Sequence, residues 1–131
     1  MRRVTAGILL VLLAMATGCN RQPSTADGAK PRVALVLKTL NHPFFLDMQR
    51  GAREAADRLG VDLVVQAAER ELDVEKQMQI VENLIQTGVQ ALCVAPSGSK
   101  EIASAIAKAN RASIPVVVVD TRVDRSRTRC S

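Results

Sequence analysis

Segment 38–45 brings together, within eight residues, a cation, a hydroxyl, an amide, an imidazole and two aromatic rings. Such groups suit a sugar, because its hydroxyls need hydrogen-bond partners and its C–H surface needs a flat apolar face. The two rings are the only phenylalanines of a chain that has no tryptophan or tyrosine. In chain order, the groups belong to Lys38, Thr39, Asn41, His42, Phe44 and Phe45.

The residues around this segment indicate how it would be positioned. The apolar run at 33–37 predicts a strand that is buried on both faces. Asn41 and His42 lead into Pro43, which suits the first position of a helix. Ligands of open α/β sheets bind where strands end and helices begin, so we predict a ligand site in this turn.

Strand-like and helix-like segments alternate along the rest of the chain, which predicts an α/β fold with a doubly wound parallel sheet. Right-handed crossovers and the strand order 2-1-3-4 would make the first strand central. Asp120, after the fourth strand, would then lie at the same edge of the sheet as Lys38. The predicted strands are 33–37, 61–66, 91–95 and 115–119, and the predicted helices are 43–59, 73–87 and a third that follows Ser99.

Residues that begin and end helices support these boundaries. Gly60 and Gly88 are predicted to end the first two helices, and Asp73 and Ser99 to cap the second and third. This topology puts the first helix on one face of the sheet and the other two helices on the opposite face. The fourth strand is apolar at every position and needs cover on both faces, which a single helix cannot give to four strands.

The sequence lacks the common catalytic and cofactor motifs. It has neither a glycine-rich dinucleotide motif nor a P-loop, and Ser97 lacks the flanking pattern of a nucleophile elbow. His42 has no cysteine or second histidine at metal spacing, which argues against zinc. Asp120 could match the phosphoacceptor of a receiver domain, but Lys38 and Thr39 stand where an acidic cluster would be needed. We therefore expect no metal, no cofactor and no catalysed reaction.

The distribution of charge argues against nucleic acid as a partner. The formal net charge is +5, but residues 20–120 contain twelve basic and twelve acidic side chains. The basic excess lies at the two ends of the chain. Because nucleic-acid-binding domains carry a basic patch on a folded face, we expect no such function.

The first thirty residues have the organisation of an export signal. Arg2 and Arg3 form a short basic region, and the apolar stretch 8–16 is too short to span a bilayer comfortably. The sequence A-T-G-C at 16–19 resembles a bacterial lipobox, in which glycine precedes a cysteine that is lipidated and becomes the new N-terminus. The alternative is an ordinary secretory signal that is cleaved near Cys19, and in either case the chain leaves the cytoplasm.

Segment 33–48, V-A-L-V-L-K-T-L-N-H-P-F-F-L-D-M, resembles the opening of periplasmic sugar-binding proteins of the ribose/allose/galactose type. The segments 51–60, 77–92 and 114–120 resemble later motifs of the same family, and the similarity covers about 32–124 without a gap. Lys38 stands in place of a hydroxyl residue. In this respect the sequence resembles the allose-binding branch of the family rather than the ribose-binding branch.

This resemblance implies one lobe of a type I periplasmic-binding-protein fold, whose two lobes are joined by three crossings and clamp the sugar between them. It implies capture of an allose- or ribose-like monosaccharide for the permease of an ABC importer. His42 stands where the family usually has asparagine, and Thr121 stands where it often has a long charged residue. By position, the residues that would touch the sugar are Lys38, His42, Phe44, Phe45 and Asp120.

The chain divides into four parts on this reading: a lipoprotein signal peptide at 1–18, a flexible tether at 19–31, a partial N-terminal lobe at 32–124, and a tail at 125–131. The tail has no strand pattern, and we expect it to be aberrant or truncated, from out-of-frame translation or a fragment end. Because the sequence ends before the first crossing of the resembling family, we expect the chain alone to bind sugar weakly or not at all.

Two other classes of protein share this fold. The sensor core of a LacI-type transcription regulator would need an N-terminal helix-turn-helix, where this chain has an export signal. An enzyme of flavodoxin-like fold would need a catalytic constellation, which the sequence does not contain.

We predict that the chain is cleaved before Cys19 and that the sulfur of this residue receives a diacylglyceryl group, because a short apolar stretch leads into Gly18-Cys19. Mass spectrometry of the mature N-terminus, in the wild-type chain and in Cys19→Ser as the control, measures both events. An unmodified N-terminus at any other residue would contradict the prediction.

Overall fold

The computed structural model describes residues 28–122, which alternate between strands and helices as predicted. Within this range no helix is both long enough and apolar enough to cross a membrane. Cys19, residues 1–27 and the segment 123–131 lie outside the described residues. The strands are β1 (Arg32–Leu37), β2 (Asp62–Ala67), β3 (Ala91–Val94) and β4 (Val116–Val118), and the helices are α1 (Pro43–Leu59), α2 (Val74–Gln86) and α3 (Ile102–Arg111).

The four strands form one parallel sheet in the order β2-β1-β3-β4, which confirms the predicted topology. Strand β1 pairs with β2 from Arg32 to Leu37, and with β3 from Val33 to Val36. Its last four residues are buried, as predicted for a strand that is covered on both faces. The carboxyl end of β1 therefore lies in the middle of one edge of the sheet.

Two separate apolar cores lie on the two faces of the sheet. Helices α2 and α3 cover one face, where Ala34 and Val36 of β1 meet Leu92 of β3. Helix α1 covers the other face, where Leu35 and Leu37 pack with Phe45. The assignment of α1 to one face and of α2 and α3 to the other is thus confirmed.

The ends of the first two helices follow the predicted chemistry. Pro43 is the first residue of α1, and Gly60 ends this helix in the left-handed conformation, with φ at 67°. The side chain of Asp73 caps α2 by accepting a hydrogen bond from the backbone N–H of Lys76. Gly88, with φ at 74°, directly follows Thr87, which occupies the C-cap position itself.

The predicted cap of α3 is wrong. Ser99 does not cap this helix, because residues 99–101 form a separate turn ahead of it. The N-cap position falls on Glu101, which makes no side-chain capping bond. The N–H of Ile102 instead bonds the carbonyl of Gly98 at 3.3 Å, so backbone groups satisfy the start of the helix.

Strand β4 leaves apolar surface exposed on the described part of the sheet. Val117 of β4 is 56% exposed. It pairs with Cys93 of β3, whose side chain lies on the α1 face of the sheet. Helix α1 contacts β1 and β2, so its cover does not extend to β4. Cys93 itself is only half-buried, and burial raises the pKa of its thiol above the usual value.

We predict that this exposed face promotes association of the chain, with dye binding by 8-anilinonaphthalene-1-sulfonate and a broad thermal transition. Val117→Lys should reduce both association and dye binding, because it places a charge in the middle of the apolar surface. Leu59→Lys is the control, since Leu59 is also an exposed apolar residue, at 75%, but lies at the end of α1. Sedimentation velocity that finds a monodisperse wild-type monomer would contradict this prediction.

Candidate functional site

Lys38 and Asp120 meet at the carboxyl edge of the sheet, as their positions in the sequence predict. Their Nζ and Oδ2 atoms are 2.7 Å apart, and the side chains are 19% and 27% exposed. The ammonium of Lys38 also donates a hydrogen bond to Oγ1 of Thr121 at 2.8 Å, and that hydroxyl donates to Asp120 at 3.1 Å. The three side chains form a closed polar network that still reaches solvent.

The backbone at Asp120 adopts an unusual conformation that directs the carboxylate into this network. Its φ angle is +65°, and the N–H of Thr121 bonds the carbonyl of Val119 across it at 2.8 Å. A hydrogen bond between the first and third of three residues, with a positive φ at the middle one, defines the strained form of the γ-turn. Aspartate tolerates such a conformation better than most residues, and strain of this kind is typical of functional sites.

The environment of Asp120 favours its ionised form. The hydrogen bond from Lys38 is the largest cause and holds the pKa of this carboxyl below its usual value. Desolvation opposes this shift, whereas the hydrogen bond from Thr121 and the charge of Lys38 reinforce it. The site therefore presents an anionic acceptor next to a cationic donor at neutral pH.

The two phenylalanines have different environments. Phe45 is buried in the α1-side core with Leu35 and Leu37, so its ring belongs to the core under the site. The Nζ atom of Lys38 lies 5.8 Å from the centre of the Phe45 ring, within the range of a cation–π contact. Phe44 is 50% exposed and packs edge-on against Phe45, with ring centres 5.2 Å apart. Phe44 therefore offers an open aromatic face to a ligand.

His42 is the N-cap residue of α1 and is exposed, with its ring near that of Phe45. Its Nδ1 atom accepts a hydrogen bond from the backbone N–H of Phe44 at 3.2 Å, and its ring lies 6.1 Å from Phe45. An accepting Nδ1 carries no proton, so in the neutral ring the proton lies on Nε2. Nε2–H is then available as a donor to a ligand.

Two other polar residues of the turn serve the fold. The hydroxyl of Thr39 is buried and donates to the carbonyl of Glu69 at 3.1 Å. The side-chain amide of Asn41 donates to the same carbonyl at 2.9 Å, and its backbone N–H bonds the hydroxyl of Thr39. These bonds fix the loop after β1 onto the loop after β2.

Two residues with a role in the site are not among the predicted site residues. Thr121, which the sequence marks only as a departure from the resembling family, completes the network of Lys38 and Asp120. Gln77 of α2 is completely buried and bonds the ends of β1 and β3. The available signal for Gln77 is its position in line with Ile80, Val81 and Leu84, which makes it a polar residue on an apolar helix face.

The arrangement can bind a small polar molecule, with donors, an anionic acceptor and an open ring at one edge of the sheet. Within residues 28–122 there is no cluster of three or more histidine, cysteine or acidic side chains that could hold a metal ion. A cavity of about 300 Å³ lies elsewhere, between the end of α1 and the start of β2, and is lined in part by Arg53, Asp57 and Asp62. It does not include any of the predicted site residues.

Comparisons with known proteins indicate one family for this chain. Residues 33–130 match the family described as periplasmic binding protein domain. The chain is 39% identical over 132 residues to a D-ribose/D-allose-binding protein of Pseudomonas aeruginosa, and 32% identical over 136 residues to the ribose import binding protein of Bacillus subtilis. These alignments cover 95% and 97% of this chain but 41% and 43% of the relatives, so the chain spans about two fifths of their length.

Solved structures agree with the sequence relatives. The chain is similar to an ABC transporter periplasmic solute-binding protein of Actinobacillus succinogenes with bound D-allose, at a TM-score of 0.71 and 41% identity. This match covers 72% of this chain and 33% of that protein. A solute-binding protein of Burkholderia multivorans gives a TM-score of 0.70 at 40% identity, over 73% of this chain and 35% of that protein.

We predict that the ion pair between Lys38 and Asp120 stabilises the fold in a pH-dependent way. Because the folded-state pKa of Asp120 is lowered, the stabilisation is fully present above the unfolded value of about 3.9 and is lost as the pH falls through the lower folded-state value. Asp120→Asn should therefore destabilise the protein at pH 7, and the difference from wild type should shrink as the pH falls below about 4.

Urea unfolding at a series of pH values measures this difference. Asparagine also tolerates the positive φ at this position, so the backbone need not change. Asp47→Asn is the matched control, since Asp47 pairs with Arg50 on the exposed surface of α1 and should contribute less. Equal effects of the two substitutions at every pH would contradict the assignment.

Proposed function

Because this chain belongs to the periplasmic binding protein domain family, we propose that it supplies one wall of a monosaccharide site in an extracytoplasmic solute-binding protein. The observation that carries the proposal is the solvent-accessible network of Lys38, Asp120 and Thr121. The ammonium of Lys38 lies over the ring of Phe45, against which the half-exposed ring of Phe44 packs. This combination of a donor, an acceptor and an apolar face matches the surface of a sugar.

Each residue has a distinct role in this proposal. The ammonium of Lys38 has three protons, of which two bond Asp120 and Thr121, so one remains for a sugar hydroxyl. The carboxylate of Asp120 accepts from a second hydroxyl, and His42 donates from Nε2. Phe44 stacks on the C–H face of the sugar ring, while Phe45 fixes the position of Phe44 and Lys38 from within the core.

An allose- or ribose-like sugar is the proposed ligand. The sequence relatives include a D-ribose/D-allose-binding protein, and a similar solved structure holds D-allose. Lys38 is also similar to the residue of the allose-binding branch, and its charge-assisted bond is stronger than that of a neutral hydroxyl.

The open shape of the site is consistent with a wall that faces a second lobe. The side chains of Lys38 and Asp120 keep 19% and 27% of their surface exposed, and the chain spans about two fifths of its relatives. In this proposal the second wall closes over the sugar, and the closed protein delivers it to the permease of an ABC importer.

We also propose that the protein works outside the cytoplasmic membrane, in the periplasm or on the outer face of that membrane. The basic and apolar segments before Cys19 support export, and the lipobox-like sequence supports a lipid anchor on that cysteine. The relatives are described as binding or import-binding proteins, so the proposed activity is capture of the sugar without catalysis.

A chimera tests the proposed site directly. Residues 32–122 replace the matching segment of the Actinobacillus succinogenes protein, and calorimetry measures binding of D-allose and D-ribose. Lys38→Met and Asp120→Ala should each weaken binding about tenfold or more, because each removes a charge-assisted hydrogen bond of about 1.5–3 kcal/mol.

Lys76→Met is the matched control, because Lys76 is an exposed lysine of α2 outside the site. Its effect should stay within about twofold, as is usual for an exposed surface position. Unchanged affinity in both site variants would remove Lys38 and Asp120 from the site, and a folded chimera that binds no sugar would refute the proposed function.

A further inference from the structure

Gln77 of α2 bonds both central strands where they stop pairing with each other. Its Nε2 atom donates to the carbonyls of Leu37 and Ala95, at 3.3 Å and 2.9 Å. Its Oε1 atom accepts from the backbone N–H of Ser97 at 2.8 Å. A single fully buried amide therefore has all three of its hydrogen bonds on backbone groups at the carboxyl ends of β1 and β3.

The backbone geometry explains why a side chain is needed there. The register of β1 and β3 ends at Val36 and Val94, and the N–H of Ala95 makes a further bond to the carbonyl of Val36. The N–H groups of a strand point alternately to its two neighbours, so the next N–H on the β1 side is that of Ser97, and it bonds Gln77 instead. Beyond that point, Gln77 donates to the carbonyls of Leu37 and Ala95, which gives each of these backbone groups a partner.

Two of the bonded groups are directly connected to the site. Leu37 is followed by Lys38, and the side chain of Leu37 packs with Phe45 on the opposite face of the sheet. Ala95 directly follows β3. Val94, the last residue of β3, accepts a backbone bond from the N–H of Val119, just after β4. Asp120 is the next residue. The spacing of the ends of β1 and β3 thus sets the distance over which Lys38 reaches Asp120.

We propose that Gln77 is a positioning residue of the site, which holds the ends of β1 and β3 at the spacing that brings Lys38 to Asp120. It contacts no ligand itself, because it is buried on the α2 face. Its consequence for sugar affinity rests on the proposed function, whereas its consequence for the Lys38–Asp120 pair does not.

The test compares Gln77→Met, Gln77→Glu and Val81→Ala in the purified chain. Methionine keeps the length of the side chain but has no strong donor or acceptor. Glutamate keeps the acceptor for Ser97 and, when protonated, donates to one carbonyl. Val81→Ala is the matched control, since Val81 is buried in the same helix one turn further on and makes no bond to the strand ends.

Two nuclear magnetic resonance measurements report the pair without any sugar. The first is the pKa of the Asp120 carboxyl. It should rise towards the free value of about 3.9 in Gln77→Met, stay as in wild type in Val81→Ala, and lie between the two in Gln77→Glu. The second is the contact at pH 7 between the side-chain methylenes of Lys38 and the ring of Phe45, which should weaken in Gln77→Met and stay as in wild type in Val81→Ala. This contact can be measured even if a variant unfolds in acid, because it is recorded at pH 7. Its assignment is simple, since the chain has only two phenylalanine rings.

Affinity gives the third readout in the chimera that carries residues 32–122. Gln77→Met should weaken D-allose binding about tenfold, which corresponds to about 1.4 kcal/mol, while Val81→Ala lowers stability and leaves affinity unchanged. If Gln77→Met keeps both magnetic resonance signals at their wild-type values, or if Val81→Ala changes them equally, the proposal is overturned. If the wild-type chimera binds no sugar, only the proposed function fails, because the first two readouts still decide the role of Gln77.

Discussion

Strand β1 is paired on both edges and covered on both faces, and the position of every other element follows from this. Its register with β2 and β3 fixes the sheet, and its alternating side chains divide the interior into two cores. Because the crossovers after β1 and β2 go to opposite faces, no helix covers the edge where β1 ends. The polar turn that follows β1 therefore reaches solvent in the middle of the molecule, with the ends of β3 and β4 beside it.

The site assembles oppositely charged groups without burying them fully. Desolvation of a charge is costly, and an ion pair that retains access to water avoids most of that cost. Lys38 and Asp120 hold each other in place through a short contact, and Thr121 closes the network. The strained γ-turn at Asp120 is part of the same arrangement, since it directs the carboxylate back towards the cation at some expense of backbone energy.

The fold could be predicted from the sequence because the patterns that indicate strands and helices are local and repeat along the chain. Apolar runs, Gly60 and the cap at Asp73 predicted the elements, and the strand order came from the pattern of doubly wound folds. Right-handed crossovers with that order predicted which face each helix covers. The site could be predicted in part, because Lys38 and Asp120 follow strands that end at the same carboxyl edge of the sheet. The bonds of Thr39 and Asn41 to Glu69 could not be predicted, because sequence separation gives no indication of which carbonyl faces a loop. Ser99 was misplaced for a similar reason: a turn before α3 satisfies the backbone that a cap would otherwise serve.

The pairing of Lys38 with Asp120 also bears on which kind of ligand the proposed site can accept. An unpaired lysine at a strand end would attract anions such as sugar phosphates, because nothing would balance its charge. Here the carboxylate of Asp120 lies 2.7 Å from the ammonium, so the pair is neutral as a unit. An anionic ligand would meet repulsion from Asp120, and a cationic one would meet repulsion from Lys38. A neutral polyol can bond both groups at once without separating them, and the ring of Phe44 adds an apolar contact that carries no charge preference. The same contact that builds the site thus favours an uncharged sugar over a phosphorylated one.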